Sequence, residues 1–232
     1  MRKIHIAALA CLCTSGCSDG TTRAVLATIL VMDGPCAVRG IGPRESGPLP
    51  SGAPLPSGAF VSTGAGGRIA LALLPNVRIE LMENSELQIG RLFLTKDGNE
   101  TGSAMRNRQV QVKLLRGSAV ISQVLGDWAQ SKVSVETPEG TLLGNYQSLI
   151  RIEHADDTTR ALCASGIVEF QPAGSHAALS LPRGSVGEWR HGQARIFLAE
   201  TEPRGQEDLQ AALEAEQKLR GLMDQIRYTL PQ

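Results

Sequence analysis

Histidine, cysteine, serine and carboxylate side chains are the groups that can carry chemistry, and along these 232 residues they are scattered. His154 stands near Asp156 and Asp157, which in a cleft would give a base and an orienting carboxylate. Its setting, HADDTT between two β-like runs, is that of an exposed hairpin turn. His176 and His191 lie apart from any cysteine or carboxylate at metal-ligand spacing, and there is no CxxC or HExxH. No metal site, redox site or cofactor is therefore expected. Ser165, in Ala-Ser-Gly, lacks the GxSxG frame of a nucleophile elbow. The run Ser62 to Gly67 is glycine-rich, but no lysine follows at phosphate-loop spacing, so its glycines read as turn formers. Glu80, Glu83 and Glu86 do not share the alternation of one strand and read as solvated carboxylates.

The amino terminus carries an address. Met1-Arg2-Lys3 is cationic and Ile4 to Leu12 is apolar, the length of a signal-peptide core and short for a bilayer span. Thr14-Ser15-Gly16-Cys17 then resembles the lipobox of bacterial lipoproteins, in which the cysteine is acylated and the preceding peptide removed. That resemblance implies lipidation at Cys17, attachment to the membrane, and residence in the cell envelope, at the periplasmic face of the outer membrane. Thr14 departs from the usual leucine, which leaves a plain secretory signal, or a cytoplasmic protein, as alternatives. Cys11 and Cys13 belong to the signal and Cys17 to the lipid, so only Cys36 and Cys163 remain for the folded part. They stand either as a disulfide or as two unrelated small apolar residues in strands.

The elements that must position these groups read mainly as strands. Lys plus Arg equals Asp plus Glu at 23 each, so no basic field gathers nucleic acid, and aromatic residues are 3 % of the chain, too few for a stacking surface. Leu55 to Ile89 reads as short strands between glycine-bearing turns, with Arg68–Leu73 and Val77–Leu81 alternating at the period of a half-buried strand. The proline-rich stretch 40–58 is a loop or an edge-covering segment. Thr95 to Gln109 reads as a mobile loop, and Trp128 as cover for a core edge. Val110–Leu114 and Ser118–Ile121 are expected as separate strands about a turn at Arg116-Gly117, and the runs flanking Ala164-Ser165-Gly166 likewise. From Gln206 to Tyr228 the residues become helix formers, with Leu209, Ala212, Leu213, Leu219, Leu222, Met223 and Ile226 at helical spacing. This helix either docks as a lid or presents Leu209, Leu213, Leu219, Met223 and Ile226 to a partner.

The order of Asp33-Gly34, Leu55-Pro56-Ser57-Gly58, Val61-Ser62-Thr63-Gly64, Glu83-Asn84-Ser85, Leu115-Arg116-Gly117-Ser118, Glu136-Thr137-Pro138 and Gly166-Ile167-Val168 resembles the FecR domain, over roughly 27–187. Gly144-Asn145-Tyr146 departs from the glycine–threonine–aromatic pattern usual in that family. The best-known members relay the state of an outer-membrane transporter to a sigma factor. This chain shows neither their cytoplasmic amino-terminal region nor their membrane helix, so direct sigma-factor control is not expected. The resemblance implies an all-β module, β-solenoid-like or sandwich-like, built of short strands with one C-terminal amphipathic α-helix. The expected division is 1–16 signal peptide, 17–26 lipidated tether, 27–200 FecR-like β domain and 201–232 helical segment. The expected role is a non-catalytic binding, scaffolding or sensory module with an envelope protein partner. The alternative is a small envelope hydrolase acting on glycan or peptide with no recognisable motif.

Overall fold

A computed structural model describes residues 21–40, 49–96, 105–124, 130–175 and 177–227. The strands are β1 (Thr21–Ala24), β2 (Ala27–Asp33), β3 (Cys36–Arg39), β4 (Pro54–Leu55), β5 (Phe60–Thr63), β6 (Arg68–Leu74), β7 (Val77–Leu81) and β8 (Glu86–Lys96). They continue with β9 (Met105–Gln123), β10 (Gln130–Thr137), β11 (Gly140–Ala155), β12 (Thr158–Pro172), β13 (Leu179–Pro182), β14 (Ser185–Arg190) and β15 (Gln193–Leu198). A 3-10 turn (Ala199–Thr201) leads into the helix α1 (Pro203–Arg227). The chain is thus all-β with a single C-terminal helix.

All 15 strands belong to one hydrogen-bonded sheet, and its long members fold it over into two layers. The first half of β9 pairs with β8 and, in parallel, with β10; its second half pairs with β7 and β11. β11 and β12 divide in the same way, their Gly140–Asn145 and Ile167–Pro172 halves in one layer and their Leu149–Ala155 and Thr158–Ser165 halves in the other. The first layer therefore holds β1, β3, β5, β8, β10 and β13, and the second holds β2, β4, β6, β7, β14 and β15. One core fills the space between, joining Leu87, Val112 and Phe170 of the first layer to Ile69, Ile79 and Ile152 of the second. Phe170 stacks on Trp189 at 3.7 Å between ring centroids, a contact across the two layers.

Glycine makes the corners possible. Gly117 has φ +80°, and a Cβ there would lie 2.5 Å from Ser85 Cα. Gly166 has φ +80° and would place a Cβ 2.8 Å from Gln147 O. Neither position accepts another residue without strain. Between them β11 absorbs the same bend as an irregularity between Asn145 and Leu149. The turns expected at Arg116-Gly117 and Ala164-Ser165-Gly166 are therefore corners inside continuous strands. The chain bends there and does not reverse.

Other expectations are corrected too. Ser85–Ile89 and Arg91–Leu94 merge into β8, and the loop expected to run to Gln109 ends by Met105, where β9 begins. Part of the expected tether, Thr21–Ala24, is a strand paired with β8. In the proline-rich stretch, β4 closes an edge against β2 with Leu55 fully buried. Val61-Ser62-Thr63-Gly64 is held from within. The Thr63 hydroxyl donates to Met82 O at 2.5 Å and accepts the Ser85 N–H at 3.0 Å, and Ser118 N–H donates to Ser85 Oγ at 2.8 Å.

Candidate functional site

Both faces of the second layer are covered, because α1 lies on its outer side. Asp208, Ala212, Ala215 and Leu219 recur at helical spacing, which puts them on one face, and all four are buried. Ala212 and Ala215 pack with Val120, Leu149, Leu162, Ala164 and Val186, while Leu219 packs with Leu30 and Ala70. The sheet residues of these clusters alternate with the inward Ile121, Ile150, Ala161 and Cys163, so neighbouring residues bury against different partners.

Polar groups are interleaved in this interface. Arg78 Nη1 donates to Leu219 O at 3.4 Å, and Ser122 Oγ to Glu216 Oε1 at 3.4 Å. At the amino-terminal end of α1, Asp208 receives Arg151 Nε on one oxygen and Arg160 Nε on the other, each at 3.0 Å. The strand register explains the pair. Arg160 lies directly across from Glu153, and Arg151 across from Leu162, so the two arginines sit diagonally on one face of β11 and β12. Arg160 is 5 % exposed and Asp208 7 %. Arg160 Nη1 also meets Glu188, and its Nη2 is buried without a hydrogen-bond partner.

A cleft of about 380 Å³ opens beside this network, between the β11–β12 turn, β14 and the start of α1. Arg160, Arg190 and Arg204 line it together with Glu153, Asp156 and Glu188. Arg204 Nη2 reaches both Glu153 oxygens, at 2.9 and 2.8 Å. Burial works against the Arg204 charge, but the pull of Glu153 outweighs it and holds the guanidinium above its ordinary value. Arg190 and Asp156 make no ion pair among the described residues. A neighbouring hollow of about 330 Å³ shares Thr158, Glu188 and Arg190 and extends to Gln193 and Arg195. The result is a trough of alternating charge suited to holding a polar partner in place. Among the groups that line it there is no nucleophile beside a base.

The residues singled out from the sequence are dispersed by the fold. His154 is buried, its Nδ1 3.1 Å from Thr159 Oγ1, which donates to Thr137 Oγ1 at 3.0 Å. Asp156 and Asp157, at φ 47° and 56°, form the tight two-residue turn between β11 and β12. Among the described residues no group of three or more metal-ligating side chains occurs, and no helix is long and apolar enough to cross a membrane. Glu80 is not solvated: it is 2 % exposed and paired with Arg68 at 3.0 Å. Glu83 accepts the Gly66 N–H at 2.7 Å, and Glu86 pairs with Arg39 and Arg116.

Cys36 and Cys163 are free thiols, so the disulfide alternative is not realised in this structure. Cys36 Sγ donates to Asp33 O at 3.1 Å, at the edge of the sheet, while Cys163 is enclosed on β12 with its Sγ 3.5 Å from Ser165 O. Burial pushes both thiols up, that of Cys163 to about 11. The expected partner-binding stripe is also corrected. Leu219 is fully buried and Leu209 half-buried against the sheet, and Leu213 alone of the described trio faces solvent. The side chains of Met223 and Ile226 lie outside the described residues, as do Cys17, Trp128 and His176. The Arg151–Asp208–Arg160 bridge was not anticipated. Its one signal was Asp208 standing at helical spacing from Ala212, Ala215 and Leu219.

Residues 59–169 match the FecR protein family. No curated protein matches the chain in sequence. Among solved structures, two crystal structures of a candidate anti-sigma factor from Parabacteroides distasonis are similar, at 14 % and 12 % identity and a TM-score of 0.42 each. Each alignment covers 60 % of this chain and 59 % of the other.

Proposed function

We propose, from the premise that this chain carries a FecR domain over residues 59–169, that it is a non-catalytic binding and sensory module of the bacterial cell envelope. It is anchored by a lipid on Cys17 at the periplasmic face of the outer membrane, and it works with an envelope protein partner. The observation that carries the reading is the extent of the family match. It begins at Ala59, before β5, and ends at Glu169 within β12, so it spans every strand corner of the sandwich. What the match leaves out, β13 to β15 and α1, supplies much of the charged trough and the covering helix. A shared β scaffold with its own peripheral surface suits recognition, in which specificity resides in exposed groups placed by a rigid frame.

Two measurements on the full chain test this. Phase partition of membranes with a cloud-point detergent is expected to place the wild type in the detergent phase and Cys17→Ser in the aqueous phase; unchanged partition overturns the anchor. Site-specific photo-crosslinking from Arg190, in intact cells, is expected to trap one recurrent envelope protein. Turnover of a glycan or peptide by purified protein, abolished by changing one trough carboxylate, overturns the non-catalytic reading.

A further inference from the structure

We infer that β15 pairs edge to edge with β15 of a second copy of this chain, antiparallel, so that the outer-layer sheet continues across a two-fold axis. Among the described residues β15 pairs only with β14, and its other edge is free. It is also the longest such edge, with six residues against four in β1, β3 and β13 and two in β4. Short edges are a common way to prevent unwanted pairing, and β15 has neither that protection nor a lysine, proline or bulge.

Its side chains specify the occupant. Ala194 lies across from Trp189 and Ile196 across from Gly187, so they belong to the core side of the sheet, and Leu198 shares their face. Yet Ile196 is 42 % exposed and Leu198 48 %. The core side of the second layer thus projects past the cover of the first, leaving an apolar strip beside an open row of backbone donors and acceptors. The opposite side carries Arg195, with Cζ 4.4 Å from the Phe197 ring centroid.

A strand that completes this edge needs apolar residues at every second position, facing the core side. β15 meets that requirement itself. With the axis at Ile196, Ile196 faces Ile196 of the second copy, and Ala194 faces its Leu198. All four therefore lie on one side. On the other side Arg195 faces Phe197 of the second copy, a cation over an aromatic ring. A register centred on Arg195 would instead oppose two like charges. The alternation and the charge placement together favour a second copy over an unrelated strand.

The test uses the full chain in its membrane. Ile196→Cys is expected to give a covalent dimer under mild oxidation, whereas Leu213→Cys, on the exposed side of α1, gives none. Sedimentation of the detergent-extracted wild type is expected to show a dimer, with the dissociation constant raised at least about tenfold in Ile196→Lys, which places two lysines face to face. Because Ile196 is exposed, circular dichroism and thermal unfolding of the Lys variant should match the wild type at a concentration where both are monomeric. A monomeric wild type, a dimer indifferent to Ile196→Lys, or a covalent adduct of Ile196→Cys with a different polypeptide each overturns the inference.

Discussion

Asp208 is the residue on which the placement of α1 turns. It is the single described carboxylate that joins the helix to both central strands of the outer layer, through Arg151 and Arg160. Removing one partner of a buried ion pair leaves the others charged and desolvated, which costs more than the pair itself contributes. Asp208→Ala is expected to lower unfolding stability by about 3 kcal/mol, measured by urea denaturation. Asp208→Asn, which keeps one acceptor, should lose less.

Cys163 gives a pH signature. Its thiol titrates at about 11 when folded, because burial disfavours the thiolate, against an ordinary value of 9.0. Below pH 9 both states hold the proton and the group has no effect. Between 9 and 11 the unfolded chain releases its proton first, so stability falls as pH rises. The loss should approach about 2 to 3 kcal/mol. It is expected as a steeper decline in urea midpoint for the wild type than for Cys163→Ala over that window; parallel declines would refute it.

At the scale of elements, the helix separates two leucines that a helical wheel treats alike. Leu219→Ala should cost about 2 to 5 kcal/mol, since Leu219 is fully buried against Leu30 and Ala70. Leu213→Ala, at 46 % exposure, should stay within about 0.5 kcal/mol. Equal effects in thermal unfolding would contradict the docked orientation. The helix itself was legible from its spacing, but its side of contact was not, because Leu209, Leu213 and Leu219 look equivalent until a sheet stands against one of them. The strands were legible where polar and apolar residues alternate, as in Val77–Leu81. They were misread at Gly117 and Gly166, since glycine with positive φ marks a reversal and a corner equally well. The difference lies in whether the flanking residues pair with each other or with neighbours, a long-range fact that no local window contains. Ala119-Val120-Ile121 and Ala161-Leu162-Cys163-Ala164 did carry a usable signal. Unbroken apolar runs imply strands covered on both faces, and hence a covering element, which is α1.

For the whole molecule, the all-β class, the terminal helix and the FecR likeness could be read from composition, periodicity and the order of small motifs. The charged trough could not. Arg151, Arg160, Glu188 and Arg204 lie far apart in sequence and become neighbours only through the registers of β11, β12 and β14 and the return of α1. The unpaired edge at β15 was equally hidden, because an edge is a property of the finished sheet.

The corners shared by β9, β11 and β12 have a mechanical meaning. In an ordinary sandwich the layers are coupled through side-chain packing, which can slide by small steps. Here three adjacent backbones run unbroken from one layer into the other, with Gly117, the Asn145–Leu149 irregularity and Gly166 marking the crease. A displacement imposed at one layer is carried by covalent chain into the other. For a sensory module, such a crease acts as a stiff lever that links a contact on one surface to the helix-bearing surface behind it.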